Sequence, residues 1–494
     1  MAASRAARNG VYLGQGSRGP VFAPPEHCVL VLGPPRSGKT SGLVVPNVLA
    51  ACGSVLSAST KPDVLLETAA ARSRAGTCML YDPSGRASAP PGVEPVGWSP
   101  LVSASSWDGA VLTADAMVGA ARPARVDAES SHWSERAGAL LACLLHAASI
   151  GGGSLDSLVS SVNRHDADRA RAVLAREGAD LATDLLEGIV ATDAREQSGI
   201  WSTTSGVLSG YRTASALESA RLPVFDAARF VRERSTLYVA TGAEHQRHAA
   251  PLVAGIVRDI RSAAYDLAAF RLRDRRVRRE SAPALPDDPC ISAPHDPPGT
   301  PAVGALGAGT DAPVLLVLDE LAGIAPLHDL GNLVAEGASQ GLTTLACLQD
   351  LSQARRRWGA EADGFLTLFG TKVVLPGIGD TRTLESLSVL AGEVDVERVS
   401  RTSSAGLLHR QAPTRTVSTQ RLRRLPPDRI ADPLDRTAVV FTGARAGRVH
   451  VTPHHDAEPW RSVTRPPVGR DGGWRSVAAR SGGVRGPSGR GVEH

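Results

Sequence analysis

The sequence predicts an α/β fold with a mainly parallel sheet and an all-α domain inserted into it. Three observations predict it. Short apolar runs alternate with helix-periodic stretches early in the chain and again after residue 234, the pattern of parallel strands joined by crossover helices. Between residues 102 and 221 strand-like runs are scarce, and Ala/Leu-rich stretches carry helical spacing. The first apolar run ends in a glycine-rich loop that opens a helix.

Residues 27–32 read as a buried strand, and residues 37–51 as a helix kinked or interrupted at Pro46. Residues 53–59 are a second strand. A helix over 62–74 follows, with Pro62 in its first turn and Gly76 closing it. Residues 77–81 make a third strand, ending in the turn Asp82-Pro83-Ser84-Gly85. Within the insertion, 133–148 and 166–191 are the clearest helical runs.

Strands resume at 235–240, and a helix over 248–270 ends among Arg271, Arg273, Arg275, Arg276, Arg278 and Arg279, against Asp274 and Glu280. Residues 281–313 are rich in Pro, Gly, Ala and Asp without pattern and are expected to be disordered. Val314–Leu318 is the most apolar strand of the second half; Leu342–Leu348, 371–375 and a final pair, 437–442 with 448–452, follow. The division is therefore a nucleotide-type α/β domain in three parts (1–101, 222–280 and 314–460), an all-α domain (102–221), a disordered insertion (281–313) and a disordered Arg/Gly-rich basic tail (461–494).

Bulk composition narrows the setting. Hydrophobic residues make up 42% of the 494 residues but aromatics only 4%, so the core is built from Ala, Val, Leu and Ile. Of 54 basic residues only Lys39, Lys61 and Lys372 are lysines; where the background drives lysine to arginine, a surviving lysine marks a need for an ammonium group. The six cysteines form no C-x-x-C pair and read as buried free thiols of a reducing compartment. His454 and His455 have no cysteine or second histidine pair nearby, so no metal site is expected there. No window approaches the ~18 apolar residues of a membrane span, and no apolar stretch follows the N-terminal arginines to make a signal peptide. The expected location is cytoplasmic, peripheral to the inner face of the cell membrane.

The chemistry concentrates at strand ends. Gly33-Pro34-Pro35-Arg36-Ser37-Gly38-Lys39-Thr40 fits G-x-x-x-x-G-K-[ST], follows an apolar strand and opens a helix. Gly33 and Gly38 allow backbone N–H groups to turn inward around phosphate oxygens, and the helix start beyond them, with Ser41, adds its positive end. Lys39 reaches β- and γ-phosphates as a flexible point charge that a planar arginine does not match, and Thr40 offers a hydroxyl to Mg2+. Asp319 and Glu320 end the strand Val314–Leu318. At the carboxyl end of a buried parallel strand they point into the ligand crevice: Asp319 to hold Mg2+, Glu320 to act as general base on water. Gln349, ending the next strand, is placed to bond the γ-phosphate or that water. These features predict a P-loop nucleotide triphosphatase of the additional-strand (RecA/FtsK-like) kind, using ATP and Mg2+. Residues 59–63 and 81–84 end two further strands near the same edge, and the arginine clusters could neutralise DNA phosphates or acidic lipid heads.

The order of the motifs resembles one family: the type IV secretion coupling proteins of the TraG/TraD group, ATPases of bacterial conjugation. After the phosphate loop come Val44-Val45-Pro46-Asn47, Ser59-Thr60-Lys61-Pro62-Asp63, Asp82-Pro83 and Trp98-Ser99-Pro100-Leu101, then a helical region with Trp133. Leu318-Asp319-Glu320-Leu321 with Pro326, Leu348-Gln349-Asp350-Leu351-Ser352-Gln353 and Trp358-Gly359 complete a match over about residues 11–453. The resemblance implies a RecA-like nucleotide domain, a homohexamer binding ATP between subunits, a type IV secretion channel at the inner membrane as partner, and a DNA–relaxase (relaxosome) cargo met by the inserted helices. It also implies an arginine given in trans to the neighbour's γ-phosphate, with Arg355, Arg356, Arg357 and Arg382 as candidates. Family members usually begin with transmembrane helices, whereas this chain begins almost at the nucleotide domain, so the expectation is a member that lacks an anchor, one fixed to the membrane by a partner, or a truncated product. Two other readings share the site: a FtsK/HerA-like DNA pump not tied to secretion, and a recruitment adaptor that binds nucleotide without turnover.

Overall fold

The computed structural model describes residues 10–121, 128–242, 244–280, 312–402, 405–406, 409–410, 414–432 and 437–464. The expected disordered insertion, apart from its last two residues, and the tail beyond residue 464 lie outside them.

Sixteen strands are present among the described residues. β1 (Tyr12–Gly16) and β2 (Gly19–Phe22) form an N-terminal hairpin. The first sheet strands are β3 (Val29–Leu32), β4 (Val55–Ser59), β5 (Cys78–Tyr81), β6 (Val93–Pro95) and β7 (Thr236–Ala240). β8 (Val314–Leu318), β9 (Leu342–Leu348) and β10 (Thr371–Val374) continue the sheet. β11 (Glu393–Thr402), β12 (Ala405–Gly406), β13 (His409–Arg410) and β14 (Thr414–Arg423) form a separate ribbon, and β15 (Ala438–Thr442) and β16 (Arg445–Val449) return to the sheet edge.

The ten-stranded order is β16-β15-β10-β3-β9-β8-β4-β7-β5-β6. Every pairing from β10 to β6 is parallel, and β15 and β16 are antiparallel. Strands covered on both faces must be apolar throughout. In β3, Leu30 and Leu32 enter one core while Val29 and Val31 enter the other. β9 lies between β3 and β8, so it is the additional strand. Leu32 pairs with Leu348, and Leu318 with Ala346, so these three strands end along one edge.

The helices from Pro100–Ser103 to Ala227–Phe230 lie between β6 and β7, with no strand among the described residues of that stretch. The junction is pinned by Trp98, whose indole N–H donates to Asp259 Oδ2 at 2.8 Å. Ser103 donates to the other oxygen of Asp259 at 2.6 Å. Gly255 is required here, because a Cβ would lie 2.2 Å from the Trp98 ring.

Several elements differ from expectation for identifiable reasons. Helix 37–51 runs from Thr40, as a π-helical turn (Thr40–Val44) continuing into Val45–Ala50, and Pro46 does not break it. Its missing N–H falls in the first turn of the α segment, where proline is tolerated. The run 166–191 is two helices, Asp168–Arg176 and Asp180–Val190, parted by Gly178 at φ +68°. The helix expected to end near residue 270 spans Gln246–Glu280, since arginine propagates helix well. The final strand is Arg445–Val449, displaced from 448–452. Both hairpins, β1–β2 and β11–β14, were absent from the sequence reading.

Candidate nucleotide-binding site

The loop after β3 has the backbone the motif demands. Gly38 adopts φ +91° with nothing within 4 Å of where a Cβ would stand, so its side of the loop is open. Arg36 sits at φ +63°, a left-handed conformation costing a non-glycine residue about 1 kcal/mol. At Gly33 a Cβ would meet Ser37 Oγ at 2.7 Å and Leu375 Cβ at 2.9 Å, so only glycine fits. The Ser37 hydroxyl is buried with no hydrogen-bond partner among the described residues. The Lys39 ammonium is turned back on its own loop, donating to the Gly33 carbonyl and, at 2.9 Å, to the Pro34 carbonyl.

Across β9 the loop meets the acids. Thr40 Oγ1 donates to Asp319 Oδ2 at 2.9 Å, and Ser59 Oγ, at the end of β4, donates to the same oxygen at 3.3 Å. Burial raises the Asp319 carboxyl above the ordinary carboxylate range, opposed by the Thr40 and Ser59 hydroxyls and by the charges of Lys39 and Lys61. Burial also raises Glu320; the neighbouring Asp319 adds to this, and Lys39 and Lys61 oppose it. Both lysines thus act on both acids, and Lys39 and Glu320 share one crevice. Ser59 and Lys61 stood outside the site residues expected from sequence. Their signal was the retained lysine and the strand end before it.

Gln349 is exposed at the end of β9, between the phosphate loop and Asp319 along the edge, and its N–H donates to Gln353 Oε1 at 3.0 Å. Ser41 contributes its carbonyl, which accepts the N–H of His454 at 2.8 Å and lies 3.1 Å from that ring's Nδ1. Other strand-end residues do not join. Asp82 follows β5, five strand positions from β3 and so about 24 Å away. Its carboxylate is taken by Ser84, Arg86 and Ala87. Lys372 is buried within β10, where desolvation lowers its pKa.

The four arginines divide. Arg357 donates to the carbonyls of Gly119, Ala120 and Pro326 at 2.7–3.3 Å, neutralising the carbonyl end of helix Trp107–Ala121. Arg355 pairs with Asp380 at 2.6 Å, both largely buried. Arg382 is exposed and pairs with Asp363 at 2.9 Å. Arg356 is exposed, with no hydrogen bond or ion pair to another described residue.

Hard oxygen donors on Thr40 and Asp319, side by side at a phosphate loop with an unpartnered buried Ser37 hydroxyl, suit Mg2+ held with a phosphate. Among the described residues no group of three or more His, Cys, Asp or Glu could hold a metal, and the five described cysteines are free.

This fold and site define a P-loop nucleotide-binding protein of the additional-strand group. The profile described as Type IV secretory system Conjugative DNA transfer matches residues 2–269, more than half of the chain, and the chain belongs to that family, the coupling proteins of conjugative DNA transfer. A second profile, TraM recognition site of TraD and TraG, matches residues 313–432. Among solved structures, the unbound bacterial conjugative coupling protein TrwBdeltaN70 is 20% identical, with a TM-score of 0.60 over 89% of each chain. The plasmid coupling protein TrwB in complex with ADP and Mg2+ is 20% identical, with a TM-score of 0.57 over 87% of this chain and 86% of that one. TrwB with a non-hydrolysable ATP analogue is 20% identical, with a TM-score of 0.59 over the same shares. These likenesses bear on the fold. No curated protein matches the sequence. Among the described residues no helix is long and apolar enough to cross a membrane.

Proposed function

We propose that the chain binds ATP with Mg2+ at the loop after β3 and hydrolyses it to link a DNA–relaxase cargo to a type IV secretion channel. The observation that carries this is the 2.9 Å contact of Thr40 with Asp319 across the additional strand, which gathers phosphate loop, metal-type ligands and Glu320 in one crevice. The TrwB complexes with ADP and Mg2+ and with an ATP analogue support the choice of ligands.

In this reading the N–H groups from Gly33 to Ser41 cradle the phosphates. Lys39 leaves the Gly33 and Pro34 carbonyls for the β- and γ-phosphates, so its ammonium exchanges one set of oxygens for another. Thr40 and Asp319 hold Mg2+, which when bound neutralises charge developing on the phosphate oxygens. Glu320 accepts the proton of the attacking water, and its raised affinity for protons suits that role. Gln349 orients the water or the γ-phosphate. Ring ATPases complete such sites with an arginine from a neighbour; in a homohexamer of this chain the exposed, unpaired Arg356 is the candidate. The α/β parts 1–101, 222–280 and 314–460 act as the motor, and helices 102–221 meet the cargo.

The test is Mg2+-dependent ATP hydrolysis by the purified chain with and without DNA. Stimulation by DNA, with loss in Lys39→Ala and in Glu320→Gln, is expected. Full activity in Glu320→Gln would remove Glu320 as the base, and ATP binding without turnover would leave a recruitment adaptor.

A further inference from the structure

The β11–β14 ribbon has no role in the nucleotide site. It is a two-stranded sheet of its own, paired over ten rungs from Glu393↔Arg423 to Thr402↔Thr414. The side chains of residues 393–400 and 417–422 are exposed, so both faces meet solvent. It joins the body at its base, where Arg423 pairs with Glu385 and Arg424 N–H donates to the Gly392 carbonyl at 2.9 Å. An isolated ribbon is marginal in water, so a surface laid along this arm would stabilise it.

Charge along the arm indicates which surface. All its acids, Glu393, Asp395 and Glu397, lie at the base. There Glu393 and Asp395 face Arg423 and Arg421 in register, and Arg421 reaches Glu393 at 3.0 Å. From residue 398 to 427 there is no Asp or Glu, while Arg398, Arg401, Arg410 and Arg415 fall in the outer half. Arg401 stands opposite Arg415 in register, so two arginine positions share one rung. The neighbouring rungs are Arg398↔Ser418, Val399↔Val417, Ser400↔Thr416 and Thr402↔Thr414. Arginine, serine and threonine are the side chains that contact DNA phosphates.

We propose that this ribbon is an arm that lies along duplex DNA, with the rungs of Arg398, Arg401 and Arg415 supplying positive charge to the phosphodiester backbone. The proposal rests on the DNA-transfer reading above and names the element that touches the nucleic acid. A two-stranded β-ribbon fits the major groove. Ten residues span about 34 Å, close to one turn of duplex. The ribbon holds no Phe, Trp or Tyr, so it offers no platform for stacking single-stranded bases. Apolar rungs stand both at the base, Val394↔Leu422, and in the outer half, Val399↔Val417, and the TraM-recognition profile spans these residues, so a protein contact is the alternative that the binding test below separates from DNA.

The experiment is fluorescence anisotropy of the full chain on a labelled duplex of about three helical turns, and on one of its single strands, across a salt series. In R398A/R401A/R415A the duplex affinity should fall at least tenfold at low salt. The slope of log K against log salt should shrink by about 3, one unit per lost phosphate contact. R398K/R401K/R415K should keep the wild-type slope, which separates lost charge from a misfolded arm. Basal ATP hydrolysis should be unchanged in both. Duplex affinity and slope unchanged in the alanine variant would overturn the arm, as would an effect confined to the single strand. Unchanged DNA binding with altered sedimentation would assign the arm to subunit contact instead. A wild-type chain that binds no DNA would sink the DNA-transfer reading itself; a binding wild type with an indifferent variant sinks only the arm.

Discussion

Thr40 Oγ1 and Asp319 Oδ2 meet at 2.9 Å although 279 positions separate them in the chain. The contact crosses β9, the strand inserted between theirs. Two parallel registers, β3 with β9 and β9 with β8, thus set the distance between a phosphate loop and its metal-type carboxylate. The carboxylate is almost wholly buried there and held by hydroxyls and lysine charges alone.

That burial predicts a trade between stability and activity. A carboxyl whose pKa is raised on folding adds stability below its unfolded pKa. That stability is lost as pH rises through the folded value, so at neutral pH the ionised Asp319 weighs against the nucleotide-free fold. Asp319→Asn keeps an oxygen for Thr40 without the charge. With chelator present at pH 7, its melting midpoint should rise by about 1–3 °C, and the gain should vanish near pH 4. Mg2+-dependent ATP affinity should fall at the same time. A midpoint that drops at pH 7 would show that the Asp319 charge stabilises the site.

Lys39 should not tolerate arginine in a chain that uses arginine almost everywhere else. Its ammonium donates to the Gly33 and Pro34 carbonyls as a point charge, a geometry that a planar guanidinium fork does not reproduce. Lys39→Arg should lose ATP hydrolysis about 100-fold or more, nearly as much as Lys39→Ala. Near-normal turnover in Lys39→Arg would mean that charge alone suffices.

The arginines near residue 356 should separate by readout. Arg357→Ala leaves two helix-end carbonyls and the Pro326 carbonyl without their donor and should cost about 2–4 kcal/mol in denaturant unfolding. Arg356→Ala removes no bond to a described residue. It should leave the unfolding midpoint unchanged while lowering hydrolysis only where subunits assemble, which mixing with Lys39→Ala subunits can read. Activity unaffected at every protein concentration would exclude Arg356 as the group given to a neighbour.

The parts of this fold that were legible in sequence are those whose signal is local. Buried parallel strands such as Val29–Leu32 and Val314–Leu318 are apolar throughout, and the glycine-rich loop is fixed by spacing. Gly178 hid the break between two helices inside one Ala/Leu-rich run. The β11–β14 arm was missed because both its faces are exposed, so nothing imposes the apolar alternation by which strands are recognised. Ser59 and Lys61 joined the site through the β4–β8 pairing, a non-local fact that spacing does not carry. For the same reason the role of Asn47 was unreadable. It is fully engaged, accepting from Tyr12 N–H at 2.7 Å and donating to the carbonyls of Tyr12 and Leu43.

The helix behind the phosphate loop is also strapped from outside, and Gly42 is where the strap comes closest. A Cβ at Gly42 would lie 2.4 Å from Val451 Cγ1 and 3.5 Å from the Thr452 carbonyl. Just beyond, His454 bonds the Ser41 carbonyl, and Trp460 packs edge-on against Tyr12 at 5.4 Å. Two effects compete in Gly42→Ala. Helix propensity favours alanine by about 1 kcal/mol, while overpacking against the strap costs about 1–3 kcal/mol. Backbone on both sides of the contact limits relaxation, so the clash should win and the unfolding free energy should fall. Pairing it with Val451→Ala removes the colliding methyl and should recover most of the loss, a coupling between the two sites that independent effects would not give. If Gly42→Ala alone stabilises the protein, the strap yields freely and does not hold the phosphate-loop helix in place.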